Sequence, residues 1–89
     1  MARLVVFDEF IEELGRVRSE RIAQNIEGML LTIEQMPGVG SSILTPSVVR
    51  EFGSNVRKAV VSPYEIIYEY DQPSNTLLVY GLRYGPAVT

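Results

Sequence analysis

Residues 56–85, VRKAVVSPYEIIYEYDQPSNTLLVYGLRYG, decide how this chain folds. The segments 56–61 and 64–70 are rich in β-branched and aromatic residues, and Ser62-Pro63 separates them with a turn. A polar turn then leads into a third apolar segment, residues 76–84. This pattern predicts three antiparallel strands joined as a meander.

The preceding residues predict one strand and two helices. The β-branched run 3–7 is a strand candidate that we expect to pair alongside the meander. Apolar residues at helical spacing predict a first helix from Asp8, with Asp8 as its N-cap. Ser19 is the expected N-cap of a second helix, which Pro37-Gly38 ends. One apolar stripe runs along that helix: Ile22, Ala23, Ile26, Leu30 and Ile33.

The element order β-α-α-β-β-β predicts an α+β domain in which a helical hairpin packs on a small antiparallel sheet. A chain of 89 residues suits a single domain, 1–89. Residues 41–55 allow two alternatives. One is a short helix capped by Thr45, with Pro46 at its first position and Gly53 just past its end, and the other is an extended segment.

Composition narrows the chemistry that is open to the chain. Cysteine and histidine are both absent, which excludes disulfides, thiolate nucleophiles, histidine bases and most metal sites, so no cofactor is expected. No apolar run reaches the roughly 18 residues of a membrane span. The N-terminal apolar run meets Asp8 too early for a signal peptide, which predicts a cytoplasmic protein.

The charge of the chain is acidic and uneven. A net charge of -3 is unusual for a protein whose main task is to bind nucleic acid. Residues 1–40 hold seven acidic and four basic side chains, whereas residues 41–89 hold four of each kind. The excess acidity therefore belongs to the part of the chain that is predicted to form the helical hairpin.

Three segments of the meander resemble the RelE/ParE superfamily of bacterial type II toxins. They are Val56-Arg57-Lys58, Tyr64-Glu65-Ile66-Ile67-Tyr68 and Leu82-Arg83-Tyr84-Gly85. In the same order, the superfamily typically has an arginine that opens the second strand, a Tyr-x-Ile-x-Tyr-like third strand and a last strand that closes on an arginine. The resemblance implies a toxin that a cognate antitoxin neutralises, by folding its C-terminal segment along the apolar groove between helices and sheet. An empty groove predicts a homodimer of the free protein.

The superfamily contains two activities. RelE-like members cleave mRNA on the ribosome, and ParE-like members inhibit DNA gyrase without being nucleases. If this chain is a nuclease, the candidate catalytic residues are Arg57, Arg83 and Tyr84. The arginines would stabilise the phosphate, and Tyr84 or Glu65 would move protons. A tyrosine with the usual pKa of about 10 is a weak base at neutral pH, and a structural ion pair is the other interpretation of each arginine.

Strand alternation and low basicity favour the ParE-like activity. Successive side chains of a strand point to opposite faces of its sheet. Arg57 and Lys58 should therefore point apart. Arg83 should share a face with Val79 and lie opposite Tyr84, unless the strand ends or twists there. The favoured hypothesis is a gyrase-binding toxin. The alternatives are a ribosome-dependent mRNA endoribonuclease and a degenerate, non-toxic interaction module of the same fold.

Overall fold

The structure, a computed structural model, describes residues 2–84, so Gly85 of the quoted stretch lies outside the described residues. The helices and strands of this range are β1 (Arg3–Val6), α1 (Asp8–Gly15), α2 (Glu20–Gln35), α3 (Pro46–Phe52), β2 (Arg57–Val61), β3 (Tyr64–Asp71) and β4 (Thr76–Tyr84). A turn of 3-10 helix, Pro37–Val39, follows α2. None of the helices within residues 2–84 is long and apolar enough to cross a membrane.

The strands form one sheet in the order β1-β4-β3-β2. Strands β2, β3 and β4 make the predicted antiparallel meander. Strand β1, however, pairs with β4 in parallel, with Val6 opposite Val79. The sheet is therefore mixed, and the expectation of a purely antiparallel sheet is corrected. The helical crossover connects β1 to β2, which runs parallel to it. The β2–β3 and β3–β4 hairpins each reverse the chain, so β4 again runs in the direction of β1.

The helical hairpin packs its predicted apolar stripe on one face of the sheet. Phe10 of α1 and Ile26 and Ile33 of α2 are buried there. The sheet residues of this core cluster are Ala59, Ile66, Tyr68, Leu77, Val79 and Leu82. This is the α+β arrangement that the sequence predicts.

The two predicted N-caps have different outcomes. Ser19 caps α2 as expected, because its Oγ accepts a hydrogen bond from the Ile22 backbone N–H at 3.2 Å. Asp8 is instead the first residue of α1, and Phe7 stands at the N-cap position without a side-chain hydrogen bond. The backbone explains the shift, since the Phe7 N–H donates to Val79 while its carbonyl accepts from the first turn of the helix. The Asp8 carboxylate still lies at the positive end of the helix dipole.

Of the two alternatives for residues 41–55, the structure contains the short helix. Helix α3 has Thr45 at its N-cap position and Gly53 at its C-cap, and the φ of 89° at Gly53 lies in the left-handed region that favours glycine. Its buried Val48 packs against Val56 and Ile67. The predicted order therefore gains a third helix, which covers part of the sheet face opposite the hairpin.

A buried tyrosine fixes the connection after α2. The Tyr68 hydroxyl donates to the Pro37 carbonyl at 2.7 Å and accepts from the Gly40 backbone N–H at 2.9 Å. Gly40 permits this approach, because a Cβ at that position would lie 2.6 Å from the hydroxyl oxygen. Burial raises the pKa of Tyr68, although the hydrogen bond from Gly40 and the charge of Arg57 act in the opposite direction. The phenol is therefore neutral at neutral pH.

Candidate functional site

An open cleft of about 490 Å³ lies where α1 and α3 meet the paired ends of β3 and β4. Its lining consists of Glu9, Glu13, Thr45, Ser47, Val48, Glu51, Glu65, Leu82, Arg83 and Tyr84. Four of these side chains are carboxylates and one is a guanidinium. Three of the four carboxylates are paired with a cation, Glu13 with Arg16, Glu51 with Arg83 and Glu65 with Lys58, so the cleft carries only a small excess of negative charge. No group of three or more potential metal ligands suitable for an ion occurs within the described range 2–84.

A β-bulge in β4 determines where Arg83 points. Ile67 of β3 pairs with Gly81, and the next residue of β3 pairs with Val79, so Tyr80 is an extra residue in β4. Val79 lies in the core under the hairpin, whereas Arg83 contacts α3 on the other side of the sheet. The expectation that Arg83 and Val79 share a face is therefore wrong, because the bulge shifts the alternation by one residue.

Helix α3 holds the guanidinium of Arg83. Its Nη2 forms an ion pair with Oε1 of Glu51, and its Cζ lies 5.2 Å from the centroid of the Phe52 ring. The Nε atom is buried and has no hydrogen-bond partner among residues 2–84. Gly81 allows this close packing, since a Cβ there would lie 3.1 Å from Cζ of Phe52. Arg83 thus links the end of β4 to α3.

A row of three aromatic rings connects α3 to β4 and to the end of β1: Phe52, Tyr80 and Phe7. Phe52 stacks on Tyr80 with ring centroids 6.2 Å apart, and Phe7 meets Tyr80 edge to face at 4.8 Å. The Tyr80 hydroxyl donates to Oε1 of Glu69 at 3.0 Å. Burial raises the pKa of Tyr80, and the Glu69 carboxylate adds to the effect. The row of rings is therefore uncharged at neutral pH.

Of the three candidate catalytic residues, the structure brings Arg83 and Tyr84 to the cleft and leaves Arg57 outside it. Arg57 donates from Nη1 to the Gly40 carbonyl at 2.7 Å, beside Tyr68 on the hairpin side of the sheet. Tyr84 is 58% exposed, and its ring meets Tyr64 edge to face at 5.5 Å. Arg83 and Tyr84 both reach the cleft because each lies at the end of β4.

A second ion pair joins Glu65 of the cleft lining to Lys58, which is not part of that lining. Lys58 Nζ is 3.6 Å from Oε2 of Glu65, and both side chains are mostly buried. Lys58 therefore points to the face opposite Arg57, as strand alternation predicts. Arg83, Lys58 and Arg16 are therefore each paired with a carboxylate of the cleft lining. A phosphate entering the cleft would have to displace those carboxylates from their partners.

The acidic residues on the helices were not among the candidates from the sequence. Glu9 and Glu13 are four residues apart on α1, and this spacing alone indicates that they share one side of the helix. Glu51 gives no comparable signal, because its contact with Arg83 depends on α3 docking over the bulge. The acidity of the cleft is thus a property of the assembled fold.

A helical hairpin on a four-stranded mixed sheet whose last three strands form a meander is the α+β fold of the RelE toxins. Among solved structures, the chain is similar to the RelBE2 toxin–antitoxin complex from Mycobacterium tuberculosis, with a TM-score of 0.73 and 13% identity over 91% of this chain and 94% of that one. It is also similar to the isolated E. coli RelE toxin, with a TM-score of 0.70 and 12% identity over 92% of this chain and 82% of that one.

The intact E. coli RelBE toxin–antitoxin complex is similar as well, with a TM-score of 0.68 and 13% identity over 92% of this chain and 94% of that one. No family model and no curated protein sequence matches the chain. The structural likeness confirms, at the level of the fold, the resemblance to the RelE/ParE superfamily that the sequence predicts. It does not separate the ParE-like from the RelE-like side.

Proposed function

We propose that this chain is the toxin of a type II toxin–antitoxin system and that it acts in the ParE-like manner, by binding DNA gyrase. The fold shared with RelE toxins supports the toxin class, and the two similar complexes support a cognate antitoxin as its partner. The observation that carries the ParE-like part is the cleft, where the guanidinium of Arg83 is already paired with Glu51 and carboxylates outnumber cations.

Cleavage of RNA at a 2'-hydroxyl needs cations for the charge on phosphorus and groups that exchange protons near neutral pH. Here Arg83 is already matched by Glu51, and Arg57 contacts Gly40 on the opposite side of the sheet. Among the described residues the cleft therefore offers the RNA backbone no unpaired cation. Inhibition by protein contact requires none of these groups, so it fits the arrangement better.

The second candidate function is that of a ribosome-dependent, RelE-like mRNA endoribonuclease. It is favoured by the fact that the similar solved structures are RelE toxins and RelBE complexes. In this case Arg83 would bind the phosphate, and Tyr84 or Glu65, which line the same cleft, would move protons. Arg83 would first have to leave Glu51, and Arg57 would have no part in the reaction.

Separate pulse labelling of DNA and of protein, in the minutes after the chain is induced alone in bacteria, distinguishes these functions. We expect DNA synthesis to fall first and the purified protein to inhibit supercoiling by gyrase. An earlier fall in protein synthesis would replace the proposal with the endoribonuclease. If both syntheses continue and the cells grow normally, the chain is the non-toxic interaction module instead.

Arg83→Ala gives a second test of the proposed function. The side chains of Arg83 and Glu51 are 38% and 46% exposed. Loss of this ion pair should therefore lower the free energy of unfolding by less than about 1 kcal/mol. We therefore expect the variant to inhibit DNA synthesis nearly as well as the parent. The nuclease alternative instead predicts that cleavage of mRNA on ribosomes falls about 100-fold or more. Arg21→Ala, at an exposed arginine of α2 that does not line the cleft, is the matched control.

A further inference from the structure

The outer edge of β1 carries unused backbone hydrogen-bonding groups. Strand β1 stands at the end of the sheet and pairs on one side with β4. The Arg3 and Phe7 backbone N–H groups both donate towards β4, to the carbonyls of Asn75 and Val79 at 2.9 Å. Because alternate residues of a strand point their backbone groups to opposite sides, the N–H and C=O groups of Leu4 and Val6 point outward. No residue within 2–84 pairs with those four groups.

This edge lacks the features that usually prevent strands from pairing with another chain. Such edges commonly carry a central lysine, a proline, a bulge or a covering loop. The sequence here is Arg-Leu-Val-Val-Phe, with its single charge at the first position. Leu4 and Val6 pack against the core under the hairpin, while Val5 is half-buried and Phe7 is 42% exposed. The edge therefore offers both backbone groups and apolar surface.

The edge is complementary to a second copy of itself. When two β1 strands run antiparallel about a twofold axis at Val5, each Leu4 lies opposite Val6 of the other copy and exchanges two backbone hydrogen bonds with it. On the other sheet face, Val5 meets Val5, and Arg3 lies opposite Phe7. A guanidinium opposite an aromatic ring is a favourable cross-strand pair. Arg3 forms no ion pair with any described residue, so its guanidinium is available for this contact.

We propose that the free protein is a homodimer in which the two β1 edges pair antiparallel and join the two sheets into one of eight strands. The occupant of the edge is a second copy of this chain, and the interface uses residues 3–7 of each copy. This proposal does not depend on the toxin function, because it rests only on the geometry and sequence of β1.

Sedimentation equilibrium over a wide range of protein concentration tests the dimer. The parent protein should dimerise reversibly. Val5→Lys places two ammonium groups opposite each other at the axis and should weaken the dimer by about tenfold or more. Arg3→Glu, at an exposed position, should also weaken it by about tenfold, since both Arg3–Phe7 contacts are lost. Val49→Lys introduces the same change at a 38%-exposed valine on α3 and should leave dimerisation unchanged.

Amide hydrogen exchange locates the interface independently of the variants. The Leu4 and Val6 amides should become protected as the protein concentration rises, whereas the Val5 amide, which donates to β4, should be protected at every concentration. A protein that stays monomeric at high concentration overturns the proposal. So does a dimer in which the Leu4 and Val6 amides exchange freely, or one that Val5→Lys and Arg3→Glu leave intact. Protection of these amides only after a different protein is added would assign the edge to that partner.

Discussion

Replacing Ile26 by alanine should lower the free energy of unfolding by about 2–5 kcal/mol, the usual range for such a core truncation. Ile26 is fully buried between α2 and the sheet. The substitution removes apolar contacts and leaves a cavity that the packed hairpin can fill only in part. Small domains are stable by about 5–15 kcal/mol, so this single change would remove a large share of the stability.

Urea unfolding followed by circular dichroism measures this effect. The matched control is Leu31→Ala on the same helix, because Leu31 is 59% exposed. The control should change the free energy of unfolding by less than about 0.5 kcal/mol. Equal losses for the two variants would mean that α2 does not turn its Ile26 side to the sheet, contrary to the structure.

Tyr68→Phe should cost about 1–3 kcal/mol at neutral pH, because it leaves a buried backbone donor without its partner. The hydroxyl accepts from Gly40 and donates to Pro37, and it therefore ties β3 to the connection after α2. Because the phenyl ring keeps the apolar packing, the decrease in the free energy of unfolding comes from the two lost hydrogen bonds. Tyr70→Phe is the control, since its hydroxyl bonds Asn75 at the surface. If the two variants lose equal stability, the buried hydrogen bonds contribute nothing beyond a surface contact.

The stability of the protein at alkaline pH should also depend on Tyr68. Burial raises the pKa of Tyr68 and of Tyr80 above the ordinary value of 10.0. Above pH 10 the unfolded chain therefore loses these protons before the folded protein does, and the free energy of unfolding decreases as pH rises. The free energy of unfolding falls by at most about 1.4 kcal/mol per pH unit for each tyrosine, until the pH reaches the pKa of that tyrosine in the folded protein.

Thermal unfolding between neutral pH and pH 11 tests this sign. Tyr68→Phe should lose stability less steeply above pH 10 than the parent, so the two curves should converge. Parallel curves for the two proteins would show that ionisation of Tyr68 is not linked to unfolding.

The meander and the hairpin could be predicted from the sequence because their signals are local. Alternating β-branched residues, the Ser62-Pro63 turn and the apolar stripe of α2 each depend on neighbours within a few residues. The Ser19 cap is equally local, since it bonds Ile22 within the first turn. The parallel placement of β1 is different, because it depends on how the whole helical crossover returns the chain to the sheet.

The candidate site could be predicted only in part. The resemblance to the RelE/ParE superfamily points to Arg83 and Tyr84 at the end of the last strand, and both line the cleft. It also points to Arg57, yet the guanidinium of Arg57 lies on the other side of the sheet against Gly40. Nothing in the sequence points to Glu51, because its contact with Arg83 depends on the docking of α3. The catalytic roles of Arg57, Arg83 and Tyr84 stay predictions.

By itself, the sequence determined the meander, the two long helices, the excess of acidic residues and the lack of histidine and cysteine. These are properties of composition and short-range spacing. Only the tertiary structure decided that the bulge at Tyr80 turns Arg83 towards α3, that Glu51 matches its charge, and that the cleft is acidic. The physical reason is that a single extra residue reverses the direction of every side chain after it. The isolated Gly81 is the one local sign in the strand, and it is typical of a bulge and of close packing alike, so it does not by itself decide where Arg83 points.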